Sequence, residues 1–443
     1  MSKTLAIHGG SKVVPERLKK RWPDITEEDK RAIMEVLDSG ILWGPYAPQA
    51  VALEREFADY IGRKYCITFN SGTAALHAAV KAAGVGPGDE VITCAFTFLA
   101  SAAAVLHHNG IPVFVDIDPN TYNIDAKKIE EKVSDKTKAI IPVHLHGIPA
   151  DLDEIMELAK KHNLVLIEDA AQAHGSEYKG KKAGTFGDMA IFSLNSTKNL
   201  PGGEGGLFVT DREDLRGLAN MVRLFGEYMK PGEGRSYVSY TMGWNYRNQE
   251  MPAAFARSQL RRLDWYNENS RKNGEFLSRE LGKIDGLEPP YVPPDRTTNY
   301  YKYRLKLDSK KAGLEVDPKE FRNKVLAALR AEGADVAVWQ TTPLTANPLF
   351  QEKEGYGKGC PFSCPFYGKE ILYRTEDYPE TIKLLDSSIV VGSEEYPLFP
   401  QKLELMEYYV EAFKEVFAAL DVVMDIDLAA QTRTTTEGRA EEL

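Results

Sequence analysis

Between about Thr26 and Thr210 the chain repeats one pattern, a short apolar run followed by an amphipathic stretch. The apolar runs are Tyr65 to Asn70, Glu90 to Cys94, Val113 to Asp116, Ala139 to Val143, Leu164 to Glu168, Met189 to Leu194 and Gly206 to Thr210. Among the stretches between them, Ala74 to Ala83, Leu99 to Asn109 and Leu152 to His162 place apolar residues at helical spacing and stop near Gly or Asn. Strands alternating with helices predict an α/β fold, a mostly parallel, doubly wound sheet of seven strands covered on both faces. Open sheets of this kind bind ligands beyond the C-terminal ends of their strands.

Past Pro252 a long helical pattern runs to about Leu281, and the Pro-rich LEPPYVPPD (Leu287 to Asp295) ends it. A strand-like alternation (Tyr301 to Leu307), a helix (Pro318 to Glu332), a strand (Val336 to Gln340), a loop holding Cys360 to Tyr367 and a last helix through Leu420 read as a smaller α/β domain. The expected division is residues 1–265 for a large domain with the N-terminal segment, 266–420 for a small C-terminal domain, and 421–443 for a polar, flexible tail.

Fifty-five Lys and Arg against 65 Asp and Glu leave a net charge of −10, which gives no support for nucleic acid or an anionic membrane as a partner. The N-terminal MSKTLAIHGGSKVVP lacks the apolar core of a signal peptide, and the most apolar stretch, Val91 to Leu106, is short and interrupted by Thr and Ser, so the expectation is a cytoplasmic protein. Four cysteines cannot form a disulfide framework in so long a chain. Cys360 and Cys364 lie close together, but all eight histidines fall at or before His174, so a zinc site there lacks ligands and no metal is expected.

The chemistry concentrates between Leu164 and Gly206. An apolar run ending in Glu168-Asp169 sets a carboxylate at a strand end, and Lys198 follows after another strand and before a Gly-rich turn. A lysine and an aspartate so placed are what pyridoxal phosphate (PLP) requires: an amine for a Schiff base, and an anion that keeps the pyridine nitrogen protonated. Taken alone, either residue reads as solvated surface sooner than as a site. A third element is NSGTAALHAA (Asn70 to Ala79), where a strand opens into a helix, so that Ser71, Gly72 and Thr73 offer backbone N–H groups and hydroxyls to an anion. By itself that segment is also an ordinary helix cap. It is neither a P-loop nor a GxGxxG fingerprint, which disfavours ATP and NAD. His144 and His146 alternate as if on one strand, either as a substrate contact or as hydrogen-bonded strand-end residues, and Tyr246 and Arg247 are candidate pocket residues.

These segments resemble the DegT/StrS family of PLP-dependent sugar aminotransferases. NSGTAAL (Asn70 to Leu76), PVHLHGIPADLDEI (Pro142 to Ile155), EDAAQAHGSEYKG (Glu168 to Gly180), GTFGDMAIFSLNSTKNLPGGEGG (Gly184 to Gly206) and GWNYRNQEMPAAFARSQL (Gly243 to Leu260) match in order and spacing, over about Pro23 to Leu420. The resemblance implies an aspartate-aminotransferase-like (type I PLP) fold with pyridoxal 5′-phosphate as cofactor. Lys198 would be the Schiff-base lysine and acid/base, and Asp169 would salt-bridge the pyridinium. Gln172 would lie beside the ring near its phenolic oxygen, and Ser193, Gly72 and Thr73 would hold the phosphate. An aromatic residue of AFTFLAS, Phe98 rather than Phe96, would stack on the ring. Asn245 would reach the phosphate of a partner subunit, making a homodimer with shared active sites. Leu194 departs from the commoner aromatic at its position, which touches packing more than chemistry.

Relatives of this fold that remove a hydroxyl carry His at the lysine position, so Lys198 implies transamination. Glutamine or glutamate would give its amine to the cofactor, and the pyridoxamine form would pass it to a ketone in a ping-pong cycle. The N-terminal LAIHGGSKVVP, LWGP (Leu42 to Pro45) and WQTTPLTANPLF (Trp339 to Phe350) resemble the branch acting on cyclitols such as scyllo-inosose in aminocyclitol and antibiotic pathways. A nucleotide-linked 4-keto- or 3-ketohexose is the alternative acceptor, and a PLP-fold regulatory protein without turnover is a third reading.

Overall fold

The computed structural model describes residues 4–44, 46–229 and 235–428. Its large sheet has seven strands: β1 (Tyr65–Phe69), β2 (Glu90–Cys94), β3 (Ile111–Val115), β4 (Thr137–Ile141), β5 (Val165–Asp169), β6 (Met189–Ser193) and β7 (Gly206–Thr210). Their order is β1-β7-β6-β5-β4-β2-β3. The pairs from β3 through β2, β4 and β5 to β6 are parallel, and β7 runs antiparallel to both β1 and β6. This is the doubly wound sheet expected from the apolar runs.

The two-residue period of a strand sorts the side chains by face. Ile67 and Phe69 of β1, Ile167 of β5, and Met189 and Ile191 of β6 pack in one core against helix α1 (Gly72–Ala82), whose Ala74, Ala75, Ala78 and Ala79 are buried. Leu166, Ala190 and Phe192 point to the opposite face. By the same alternation Asp169 and Ser193, each two residues beyond a core isoleucine, emerge at the strand ends on the α1 face, and Glu168 emerges on the other.

The start of α1 lies directly on the sheet. A Cβ on Gly206 would stand 2.2 Å from the Ser71 carbonyl oxygen, and one on Gly72 would stand 2.9 Å from Ser193 Cβ. Glycine at both positions is what lets the helix N-terminus meet the ends of β6 and β7.

The second sheet is antiparallel and smaller: β8 (Leu287–Glu288), β9 (Tyr303–Leu307), β10 (Val336–Ala337) and β11 (Ser388–Val391), in the order β8-β9-β11-β10. The long helical pattern before it is two helices, Glu250–Leu260 and Leu263–Leu281. Its core departs from the expected division at both ends of the chain. Leu5, Val13 and Val14 pack here and not on the large sheet, because buried Glu332 accepts hydrogen bonds from the N–H groups of Ala6 (2.6 Å) and Val13 (3.2 Å). Residues 421–428 are not part of a loose tail, since Val423 and Ile426 are buried in the same core. The rest of that expected tail, 429–443, lies outside the described residues.

The segment carrying Cys360 and Cys364 returns to the large sheet, where Tyr367 donates to Glu90 (2.8 Å) and Tyr373 to the Pro112 carbonyl (2.9 Å). Both thiols are free and partly exposed. Among the described residues no group of three potential metal ligands occurs, and no helix is long and apolar enough to cross a membrane.

Candidate active site

A cavity of about 460 Å3 opens at the C-terminal ends of β5 and β6. Its wall contains Ser71, Gly72, Thr73, Phe98, Asp169, Gln172, Ser193 and Lys198. Eight of the nine residues expected to hold the cofactor, all but Asn245, therefore meet in one place, of a size suited to a cofactor with a small substrate.

Asp169 is fully enclosed. Its Oδ2 accepts from the Ser101 hydroxyl (2.8 Å) and its Oδ1 from the Ala171 N–H (3.2 Å). Burial pushes its carboxyl above the usual range, and these hydrogen bonds and the Lys198 charge only partly oppose it. A buried anion in that condition calls for a cation.

Lys198 ends a tight turn in which the Asn195 side chain accepts from the N–H (3.0 Å) and hydroxyl (2.8 Å) of Thr197. The Trp22 indole donates to the Lys198 carbonyl (3.1 Å) and fixes the main chain. The amine Nζ donates to the Tyr301 hydroxyl (3.1 Å) and stands 4.2 Å from the centre of that ring. Burial pushes the Tyr301 phenol up, but the charges of Lys198 and Lys302 with hydrogen bonds from Thr197 and Lys198 outweigh it and leave it below its ordinary value.

The Ser71 hydroxyl is occupied as a cap, accepting from the Ala74 N–H (3.0 Å). It shapes the helix start, which leaves the Gly72 and Thr73 N–H groups and the Ser193 hydroxyl as the donors suited to an anion. Gln172 is turned by the His146 N–H, which donates to its Oε1 (2.7 Å) and leaves the amide nitrogen as the donor end. Phe98 is 60% exposed at the cavity, whereas Phe96 is buried in the core.

Asn245 is not brought to this cavity within the one chain. Its side-chain oxygen accepts from Arg247 (2.9 Å), and its loop is tied to the end of β1 through Asn70, whose N–H donates to the Tyr246 carbonyl (2.8 Å) and whose amide donates to the Asn245 carbonyl (3.4 Å). Tyr246 itself meets His77 Nδ1 at 3.1 Å. His144 and His146 do not share a strand. His144 follows β4, and His146 sits in a turn at φ +57°. Both rings are buried and engaged, His144 with Glu168 (2.9 Å) and His146 with Arg304 (2.9 Å).

The DegT/DnrJ/EryC1/StrS aminotransferase family pattern matches residues 23–373. The chain belongs to the DegT/DnrJ/EryC1/StrS aminotransferase family. L-glutamine:2-deoxy-scyllo-inosose aminotransferase of Streptomyces kanamyceticus is 39% identical over 342 residues, 74% of this chain and 78% of that protein. GDP-perosamine synthase of Caulobacter vibrioides is 43% identical over 247 residues, 53% of this chain and 66% of that protein. The crystal structure of 3-amino-5-hydroxybenzoic acid synthase superposes with a TM-score of 0.79 at 27% identity, covering 92% of this chain and all of that one.

As a DegT-family member the chain is a PLP-dependent aminotransferase of the type I, aspartate-aminotransferase-like fold. The site fits that cofactor on its own terms: a buried carboxylate in need of a cation, a lysine amine, and anion donors at a helix start closed by Ser193. Sequence reasoning missed Tyr301, Trp339, Glu204 and Glu394, which also line the cavity, and Ser101 behind Asp169. Tyr301, Trp339 and Glu394 come from the smaller sheet and its loops, and no local pattern in NYYKYR or VGSEE marks them as neighbours of Lys198.

Proposed function

We propose that this aminotransferase moves an amino group from glutamine or glutamate to the ketone of a cyclitol of the scyllo-inosose type. The observation that carries the acceptor class is the charge of the cavity wall. Asp169, Glu204 and Glu394 are its acids, and Lys198 is the one cation among the described residues lining it. With Asp169 committed to the cofactor and Glu394 beside Lys302 (3.4 Å), Glu204 is the acid that faces a substrate, and it offers ring hydroxyls a hydrogen-bond acceptor and a nucleotide diphosphate like charge. The likeness to the 2-deoxy-scyllo-inosose enzyme runs the same way.

Bound PLP supplies an aldehyde that holds the amine and a ring that withdraws electrons as a carbon–hydrogen bond opens. The protein does the rest. The Gly72 and Thr73 N–H groups with Ser193 hold the phosphate at the start of α1, where the helix dipole favours negative charge. Asp169, aimed by Ser101 and the Ala171 N–H, keeps the proton on the pyridine nitrogen. Phe98 and Gln172 orient the ring. Lys198 Nζ would carry the proton from the donor carbon to C4′ of the cofactor, and the Tyr301 hydroxyl, 3.1 Å from the amine, would steady it between those two atoms.

The reading includes a homodimer in which Asn245 serves the partner's phosphate site, and a cytoplasmic location, which suits four free thiols. Mixing inactive Lys198→Ala and Asn245→Ala subunits tests the sharing: one restored site per heterodimer is expected, and no recovery after confirmed exchange contradicts it. The acceptor is tested with the pyridoxamine form against scyllo-inosose, its 2-deoxy analogue and nucleotide-linked 4-ketohexoses. Return of the aldehyde absorbance with the free cyclitols is expected, and return only with the nucleotide sugars contradicts the assignment.

A further inference from the structure

Lys302 follows Tyr301 just before β9 and lines a small recess that shares Thr197, Tyr301 and Glu394 with the wall of the cavity, without a role in holding the cofactor. The side chain is 7% exposed. Its Nζ stands 5.0 Å from the centre of the Tyr301 ring and 5.5 Å from that of Trp339, two residues that line the cavity. Lys198 Nζ faces the same Tyr301 ring. The carboxylate partner of Lys302 is Glu394 at 3.4 Å, itself 56% exposed and on the cavity wall. An ammonium has three donors, and one long contact with a solvated carboxylate compensates its burial weakly. The other cation nearby, Arg304, is buried behind the wall and spends its donors on His146 (2.9 Å), Ser388 (2.7 Å) and the Trp339 carbonyl (2.8 Å).

A ping-pong aminotransferase must admit an acidic donor and an uncharged acceptor to one cavity. In an α-amino acid the carboxylate and the amine share one carbon, so a donor whose amine reaches Lys198 carries its carboxylate along the Tyr301 wall. A bare cation there would suit the donor and be left unpaired under a polyol. A rigid ion pair would do the reverse. A buried lysine with a solvated, rotatable glutamate serves both.

We propose that Lys302 receives the α-carboxylate of the amino donor, and that Glu394 is a resident carboxylate which releases Lys302 to the donor and pairs with it again when the uncharged acceptor enters. The proposal rests on the ping-pong reading above, and its test needs no acceptor. The PLP form of the whole enzyme is mixed with L-glutamine, L-glutamate, or L-glutaminol, which carries the same amine without the carboxylate, and conversion to the pyridoxamine form is followed by absorbance.

Lys302→Met is expected to weaken apparent affinity for glutamine and glutamate about 30-fold, the worth of a charge-assisted hydrogen bond, while glutaminol changes less than about threefold. Lys302→Arg is expected to recover most of the preference. Glu394→Gln is expected to tighten glutamine binding, because its competitor is removed. Titration with α-methyl-L-glutamine, which has no Cα proton to lose, reads the same weakening as a binding constant without turnover. A Lys302→Met enzyme that keeps the glutamine-over-glutaminol preference, or loses both donors equally, overturns the proposal, as does a wild type that neither amino acid converts. Rejection of every cyclitol would overturn the acceptor assignment and leave these donor measurements standing.

Discussion

Glu168 and Asp169 are adjacent acids at the end of one strand, both buried, and they have opposite conditions. Glu168 accepts from the N–H groups of Gly184, Phe186 and Gly187, each at 2.7 Å, and from His144 Nε2 at 2.9 Å, with Arg63 at 3.9 Å. Burial pushes its carboxyl up, but the His144 contact and the backbone donors outweigh that and hold it below the usual range. Asp169, on the other face, has one hydroxyl and one N–H, and burial leaves its carboxyl raised. Burial alone does not distinguish a structural acid from a working one. The distinction is whether the fold supplies the partners or leaves that to a ligand.

The largest effect expected from this contrast is on Asp169→Asn. A neutral amide cannot keep the pyridine nitrogen protonated, so kcat is expected to fall by about 1,000-fold, roughly 4 kcal/mol. The cofactor-free protein should lose no stability, because the substitution removes a buried charge that the fold does not satisfy. Near-normal kcat would make Asp169 a second structural acid.

Glu168→Gln should invert that pattern. Its amide nitrogen would replace one of the two oxygens and set donors against either the Gly184 N–H and His144 or the Phe186 and Gly187 N–H groups, and unfolding free energy is expected to fall by about 3 kcal/mol in a denaturant titration, with kcat of the folded fraction within about tenfold. Lost activity at full stability would erase the contrast.

The pH dependence of cofactor-free stability carries the same opposition. Glu168, lowered on folding, contributes stability present above its unfolded pKa and lost as pH falls through its folded pKa. Asp169, raised on folding, contributes stability present below its unfolded pKa and lost as pH rises through its folded pKa. Stability of Asp169→Asn relative to wild type should therefore grow as pH rises, and that of Glu168→Gln should recover toward wild type in acid. The smallest effect is Ser71→Ala, about 1 kcal/mol for a lost cap, with modest weakening of cofactor binding.

Much of this was legible in the sequence because it is local. Seven apolar runs became seven strands, and strand-end positions with a helix start after β1 collected Asp169, Ser193, Lys198 and Gly72 at one edge. The contrast between Glu168 and Asp169 was not legible, since it depends on donors from the 184–187 turn that reach only one face of β5. Tyr301, Lys302 and Glu394 were hidden for a related reason: they arrive from a different sheet, more than a hundred residues from Lys198. The N-terminal segment was misassigned because Glu332, which anchors it, is remote in sequence.

The most direct measurement is borohydride reduction of the yellow enzyme followed by peptide mapping. The account predicts that the cofactor becomes fixed to Lys198, the amine that lines the cavity with Asp169 and contacts Tyr301. A label on Lys179, Lys181 or Lys182, in the neighbouring hairpin that begins at Glu177, or no label at all, would contradict it.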